Sequence, residues 1–164
     1  LGDVYKRQGL GRVTANTDTS AGVVDAATNR SSDAAVGVFA NAIAAGAQVI
    51  MVSSATYTLI DASAPAVFSS KIVTEMLRTE MGFSGVVITD DVSAAVQVQG
   101  VAAGDRAVQA IRAGCDIVLA SADPTVAADM VKAIIAAAQS DPAFAARVDE
   151  SATRVLALKG GLQS

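Results

Sequence analysis

Two adjacent carboxylates, Asp90 and Asp91, are the residues of this chain best placed by type and position to do chemistry. They end the segment GFSGVVITDD, in which Val86, Val87 and Ile88 form a β-branched run that favours a strand. The run is apolar at successive positions, which is typical of a strand covered on both faces in a parallel sheet. Because α/β folds place their chemistry at the carboxyl ends of such strands, we expect the pair to mark a reactive site. The alternative is that both acids only cap a following helix.

The composition excludes several other kinds of chemistry. The chain has no histidine, which removes the usual general base, the Ser-His-Asp triad and most zinc sites. Cys115 is the single cysteine, so no internal disulfide forms, and its place between a helix and a strand predicts a buried packing thiol. A net charge of -4 argues against nucleic acid as a partner. No apolar run approaches the roughly 18 residues of a membrane span.

Helices and strands alternate along the chain. Ser31, Ser32 and Asp33 offer caps for a helix that Gly46 ends, and further helices are predicted at 69–81, 105–113, 124–139 and 142–159. The segments 48–53, 85–89 and 116–120 read as strands. Short apolar strands separated by long helices predict parallel βα units, and right-handed crossovers place all the carboxyl ends on one face. Three strands leave open sheet edges, so we expect part of a larger α/β fold.

Residues 1–8 differ in character from the rest of the chain. The stretch LGDVYKRQ contains two cations and shows no helix or strand pattern. We expect it to be a non-native, adapter-like leader and leave it out of the fold prediction. Residues 9–164 then form the natural part.

Four segments together resemble glycoside hydrolase family 3. PAVFSSKIVTEMLRTEMGFSGVVITDD (65–91) resembles the family pattern of PA-x-x-S, LR-x-x-x-GF-x-G and V-x-(S/T)-D-D. RAVQAIRAGCDIVL (106–119) is similar to the next unit, and RVDESATRVLALKGGL (147–162) to the helix that ends the catalytic barrel. Gly9 to Val13 resembles the tail of a family loop. Within the family, the chain most resembles the bacterial NagZ-type β-N-acetylhexosaminidases.

The resemblance implies a fold and an activity. The fold is a TIM-type (β/α)8 barrel, of which residues 9–164 are the C-terminal portion with about three parallel strands and flanking helices. The implied substrate is a carbohydrate, terminal β-linked GlcNAc as in peptidoglycan fragments, hydrolysed with retention and without a metal or cofactor. The fragment alone is expected to be inactive. A family β-glucosidase, a phosphorylase and a non-catalytic sugar-binding barrel remain alternatives, and the compartment, cytoplasm or exported lipoprotein, stays open.

The resemblance also assigns roles to residues. Asp90 aligns with the catalytic nucleophile, a carboxylate that attacks the anomeric carbon, whereas Asp91 is expected to cap or support it. The family's hexosaminidases carry Asp-Ser-His where this chain has Asn16-Thr17-Asp18, so the histidine acid/base is replaced. Either Asp18 is itself the acid/base with Asn16 in support, or the site is weak, or the segment is a plain Asx turn.

Three further residues are candidates for contact with the sugar. Ser54 and Tyr57 follow the first predicted strand and are expected near the mouth of the barrel. Arg12 is placed either to meet substrate hydroxyls or to face solvent. A loop tyrosine and a loop arginine also serve as ordinary packing and surface groups, so both interpretations remain open.

Overall fold

The structure is a computed structural model that describes residues 12–30 and 33–161 of the chain. The predicted leader at 1–8, the motif from Gly9 to Gly11 and the serines Ser31 and Ser32 lie outside the described residues. In chain order the elements are β1 (Val24–Asp25), α1 (Ala34–Ala44), β2 (Val49–Val52), β3 (Thr56–Tyr57), α2 (Lys71–Glu80), β4 (Val86–Asp91), α3 (Ala103–Ala113), β5 (Ile117–Leu119), α4 (Ala127–Ser140) and α5 (Pro142–Gly161).

A parallel sheet of three strands, in the order β2-β4-β5, forms the centre of the fold. Val49 pairs with Val86 and Val52 with Thr89, while the register between β4 and β5 shifts between Ile88 and Asp91. The predicted α/β class with about three parallel strands and flanking helices is therefore confirmed. One boundary differs from the prediction, because β4 continues through both carboxylates instead of ending before them. The acids are thus held by strand pairing as well as by the loop that follows.

A second, two-stranded parallel sheet joins β1 to β3. Val24 pairs with Thr56 and Asp25 with Tyr57. Neither strand was expected from the sequence, since two residues are too few for an alternating pattern to stand out. This small sheet connects the segment before α1 to the segment after β2.

The helices begin and end largely where the sequence signals predict. Asp33 caps α1 by accepting a hydrogen bond from the Ala35 N–H at 2.9 Å, and Gly46 follows the helix with φ +88°. Gly114 ends α3 with φ +117°, a conformation that favours glycine. Helix α2 differs from the expected α-helix, because it is wound as a π-helix. Its last turn is closed by the Met81 N–H, which bonds the carbonyl five residues earlier at 3.0 Å.

The buried core lies between the sheet and helices α2 and α3. Val73 of α2, Val87 of β4 and Ala107 of α3 each have no exposed surface. Cys115 is also fully buried, and burial raises the pKa of its thiol to about 12. The predicted packing thiol is therefore confirmed, since a thiol in this state is not a nucleophile at neutral pH.

Asp116 links the amino-terminal end of the sheet to α2 and α5 through ion pairs and a backbone hydrogen bond. Its side chain has no exposed surface and accepts bonds from Arg78 at 2.6 Å, Arg147 at 2.8 Å and Arg154 at 3.1 Å. The Val87 N–H adds a bond at 2.9 Å. Burial acts to raise the pKa of Asp116, but the Val87 N–H and the arginines outweigh it and hold that pKa below its usual value. The cluster lies opposite the end of the sheet that carries Asp90.

No helix among residues 12–30 and 33–161 is long and apolar enough to cross a membrane.

Candidate functional site

Asp90 lies near the carboxyl end of β4, the middle strand of the sheet. It is half-buried, and its Oδ1 accepts a hydrogen bond from the Asp91 N–H at 2.9 Å. The carboxylate lines a cavity of about 110 Å³ whose other walls are mainly apolar, among them Phe39, Met51 and Met76. Asp90 is the single carboxylate on this cavity wall within the described part of the chain. A carboxylate beside a cavity is the type of group that can attack an electrophilic carbon when it is ionised.

Asp91 joins the loop after β4 to the loop after β5. Its Oδ1 accepts from the Ser93 N–H at 2.7 Å, the Ser93 hydroxyl at 2.6 Å and the Ala94 N–H at 3.2 Å. Its Oδ2 accepts from the Ser121 N–H at 2.7 Å, the Ser121 hydroxyl at 2.6 Å and the Ala122 N–H at 2.8 Å. Both oxygens are thus directed at donors within the protein.

These hydrogen bonds keep Asp91 ionised. Partial burial acts to raise its pKa, but the hydrogen bonds from Ser121, Ser93 and the neighbouring backbone hold that pKa far below its usual value. The Asp91 N–H in turn bonds the Asp90 carboxylate. The hydrogen bonds that hold Asp91 in place therefore also set the direction from which its N–H donates to Asp90.

Arg106 binds the same loop, a role that was not predicted from the sequence. Its side chain is 4% exposed, and Nη1 donates to the carbonyls of Val92 and Ser93. Burial lowers the pKa of Arg106, while the charges of Asp91 and Asp123 act in the opposite direction. An arginine one turn into α3, shortly after a reactive strand, is the only signal that marks this role, and it is too common to be specific.

The segment from Asn16 to Ser20 is a tight turn in which Thr17 is buried and Asn16, Asp18 and Thr19 are exposed. The Asn16 side-chain oxygen accepts from the Asp18 N–H at 2.8 Å, and the Asn16 carbonyl accepts from the Ser20 N–H at 2.9 Å. This is the geometry of an Asx turn. The Asp18 side chain is exposed.

Two backbone hydrogen bonds connect this turn to the 3-10 helix that follows β4 (Val96–Val98). The Val96 N–H donates to the Asp18 carbonyl at 3.2 Å, and the Gln97 N–H donates to the Thr17 carbonyl at 3.0 Å. The structure thus brings the segment of Asp18 to the 3-10 helix that follows β4. This helix begins five residues after Asp91, the last residue of the strand that carries Asp90.

Tyr57 and Ser54 lie beneath the surface. Tyr57 is 8% exposed, and burial raises the pKa of its hydroxyl although a hydrogen bond with Ser53 acts against this. Ser54 has no exposed surface, and its Oγ has no hydrogen-bond partner among residues 12–30 and 33–161. Direct contact of either residue with a sugar stays a prediction.

Arg12 is engaged by the start of α1. It forms an ion pair with Asp33 and donates to the Thr28 hydroxyl at 3.2 Å. The hydrogen bond from Arg12, together with that from the Ala35 N–H, lowers the pKa of Asp33 to about 2. In this arrangement Arg12 supports the helix cap, and a contact with substrate hydroxyls stays a prediction.

No group of three or more histidine, cysteine, aspartate or glutamate side chains is arranged to hold a metal ion within the described ranges.

Comparison with known proteins gives consistent matches. The model of the glycosyl hydrolase family 3 N-terminal domain matches residues 7–158. The crystal structure of a β-N-acetylhexosaminidase from Beutenbergia cavernae superposes with a TM-score of 0.91 at 60% identity, over 93% of this chain and 45% of that one. A β-N-acetylglucosaminidase of the family from Paenibacillus superposes with a TM-score of 0.84 at 28% identity, over 93% of this chain and 29% of that one.

Among curated relatives, an uncharacterized secreted glycosyl hydrolase from Arthroderma benhamiae is 37% identical over 127 residues, covering 77% of this chain and 36% of its own length. The chain therefore spans less than half the length of these relatives.

Proposed function

The chain belongs to glycosyl hydrolase family 3, and from this premise we propose that it is the part of a β-N-acetylhexosaminidase that carries the nucleophile. Residues 9–164 form the C-terminal portion of a (β/α)8 barrel in this proposal. The whole enzyme hydrolyses terminal β-linked GlcNAc from a carbohydrate, with peptidoglycan fragments as the expected natural source. The 60% identity to a β-N-acetylhexosaminidase supports this substrate over a β-glucoside.

The observation that carries the proposal is the position of Asp90. Asp90 is the penultimate residue of the central parallel strand, lines a cavity, and accepts a hydrogen bond from the Asp91 N–H. In the first step an Asp90 oxygen bonds to the anomeric carbon as the glycosidic C–O bond breaks, and the leaving oxygen takes a proton. In the second step water attacks the same carbon and gives a proton to the group that protonated the leaving oxygen, the Asp90–sugar bond breaks, and the configuration is retained.

Asp18 is the proton donor in this proposal. Support comes from the hydrogen bonds that join its segment to Val96 and Gln97, in the loop after the nucleophile strand. Retaining hydrolases need the two carboxyl groups about 5–5.5 Å apart, and this proposal requires Asp18 and Asp90 to reach that separation in the whole barrel. A carboxylic acid serves here in place of histidine, a residue that the chain lacks.

A barrel that binds sugar with little turnover is the second candidate. The observation that favours it is the Asx turn, in which the Asn16 side chain accepts from the Asp18 backbone and so serves the loop itself. In this case Asn16 gives no donor to an acid/base, and Asp18 is a turn residue.

Inactivation of the full-length protein separates the two candidates. A fluorosugar inactivator that retains the 2-acetamido group is expected to label Asp90, identified by peptide mass spectrometry, and Asp90→Ala is expected to lower kcat at least 10³-fold, in line with loss of a covalent nucleophile.

Asp18→Ala is expected to recover turnover of an activated aryl substrate with azide, giving the β-glycosyl azide. Hydrolysis by Asp90→Ala at the parent rate would disprove the nucleophile. An unlabelled parent that binds GlcNAc would favour the binding barrel. A matched aryl glucoside tests the β-glucosidase alternative.

A further inference from the structure

Gln97 makes a side-chain contact that neither the motif nor the mechanism above uses. Its Oε1 accepts from the Val23 N–H at 2.8 Å, and its Nε2 donates to the Val23 carbonyl at 3.2 Å. The amide thus pairs with both polar groups of one residue, as a neighbouring strand would. A side-chain amide can do this because it presents an acceptor oxygen and a donor NH2 group side by side.

The pairing between Gln97 and Val23 anchors the C-terminal end of the loop that contains Asp18. The near end is held by backbone bonds from Val96 to Asp18 and from Gln97 to Thr17. The far end is held at Val23 by the Gln97 side chain. Gln97 therefore fixes both ends of the segment from Thr17 to Val23, in which Asp18, Thr19, Ala21 and Gly22 are exposed.

Both anchoring points, Thr17 and Val23, are themselves buried. Thr17 is 4% exposed and Val23 is 3% exposed. The Val23 carbonyl also accepts from the Thr56 N–H at 3.0 Å, which links it to the small β1-β3 sheet. On the other side, Gln97 lies in the 3-10 helix between buried Ala95 and Val98, a few residues after Asp91.

We propose that Gln97 is a positioning residue that holds the loop of Asp18 in register with the strand of Asp90. Hydrogen bonds from one side chain then set the placement of the proton donor relative to the nucleophile. This inference rests on the proposed function, in which both acids act on the same glycosidic bond. Misplacement of a reacting group by about 1 Å costs roughly 100-fold in rate, so a loop of this kind gains from two fixed ends.

The test compares Gln97→Met with Gln99→Met in the full-length protein. Methionine keeps the length and apolar volume of the side chain and removes both hydrogen bonds to Val23. Gln99 is the matched control, because it lies on the same short segment but donates to the Ser93 carbonyl at 2.9 Å and not to the loop of Asp18.

The activity readout is kcat/KM on two substrates that differ in their need for a proton donor. A β-GlcNAc disaccharide needs its leaving oxygen protonated, whereas the 4-nitrophenyl glycoside needs this far less. Gln97→Met is expected to lower kcat/KM roughly 10- to 100-fold on the disaccharide and less than about threefold on the aryl glycoside. Gln99→Met is expected to leave the ratio of the two kcat/KM values within about twofold of the parent ratio, because its bond to the Ser93 carbonyl does not involve the loop of Asp18. A parent-like Gln97→Met, or an equal loss on both substrates, would overturn the inference while leaving the proposed function intact.

Hydrogen exchange gives a second readout that does not depend on turnover. The Val23 N–H is expected to exchange about tenfold faster in Gln97→Met than in the parent or in Gln99→Met, because it loses its acceptor. Unchanged exchange at Val23 would overturn the inference by itself. A parent that hydrolyses neither substrate would refute the proposed function and the catalytic part of the inference, and exchange at Val23 would then decide whether Gln97 holds the loop.

Discussion

At the scale of single residues, the two adjacent acids have different surroundings. Asp90 faces a cavity and accepts from the Asp91 N–H, whereas the Asp91 carboxylate is directed at Ser93 and Ser121 on two loops. The difference follows from the strand, which turns successive side chains to opposite faces of the sheet. In the proposed function Asp90 is the reacting group, whereas Asp91 joins the two loops.

Asp91→Asn tests this division of roles. Among the described residues, each Asp91 oxygen accepts hydrogen bonds from backbone N–H groups. An asparagine at this position would have to place its NH2 group, which is itself a donor, against some of these N–H groups. We expect the free energy of unfolding to fall by about 2–3 kcal/mol, measured by denaturant titration. Asp105→Asn, at an exposed acid in the first turn of α3, is the matched control and is expected to change it by less than about 0.5 kcal/mol. Equal stability of the two variants would contradict the assigned role.

The same residue predicts a pH dependence. The pKa of Asp91 is lower in the folded protein than in the unfolded chain, where it is about 3.9. The contribution of Asp91 to the free energy of unfolding is therefore fully present above pH 4. It is lost as the pH falls toward the pKa of Asp91 in the folded protein. The parent is expected to lose stability between about pH 4 and pH 2 more steeply than Asp91→Asn. Parallel curves for the two proteins in this range would refute the prediction.

At the scale of elements, buried charge connects the sheet to its helices. Asp116 precedes β5 and binds arginines from α2 and α5 with a fully buried carboxylate. Removal of one member of a buried ionic cluster leaves the others uncompensated, which costs about 3–5 kcal/mol.

Asp116→Ala is therefore expected to be among the most destabilising single changes in the chain. The control is Asp129→Ala, which removes an ion pair with Lys132 whose side chains are 71% and 77% exposed. Denaturant unfolding is expected to give a loss of about 3–5 kcal/mol for the first variant and below about 1 kcal/mol for the second. A loss below about 1 kcal/mol for Asp116→Ala would show that the cluster is not a structural anchor.

At the scale of the whole molecule, the sheet has two outer strands that no described strand covers. The order β2-β4-β5 leaves the outer edges of β2 and β5 unpaired within residues 12–30 and 33–161. Exposed apolar side chains lie on β2, α4 and α5, including Val49, Ile135 and Leu156. Open strand edges and apolar patches promote association.

We therefore predict that the 164-residue chain produced alone self-associates and does not hydrolyse GlcNAc substrates. Light scattering after size exclusion is expected to give a mass above the 16.4 kDa of one chain. The full-length protein is the control and is expected to be less prone to association at equal concentration. A monodisperse, active 164-residue monomer would contradict both parts of the prediction.

Strands and helix ends that are encoded by residues adjacent in the chain were predictable from the sequence. The β-branched run from Val86 to Ile88 encodes its strand because such side chains suit a pleated, buried surface. Gly46 and Gly114 mark helix ends because they occupy conformations that favour glycine. The ordered family motifs place Asp90 for the same reason, since the pattern lies within one continuous segment.

Contacts between residues far apart in the sequence became visible only in the folded structure. Asp91 binds Ser121 across 30 positions, and Gln97 binds Val23 across 74. Two-residue strands such as β1 and β3 form because the surrounding fold presents their partners, not because of their own pattern. Local preference acts through adjacent residues, whereas these contacts arise when packing brings separate segments together. This difference explains why the strand that carries Asp90 was predictable and the loop contacts around it were not.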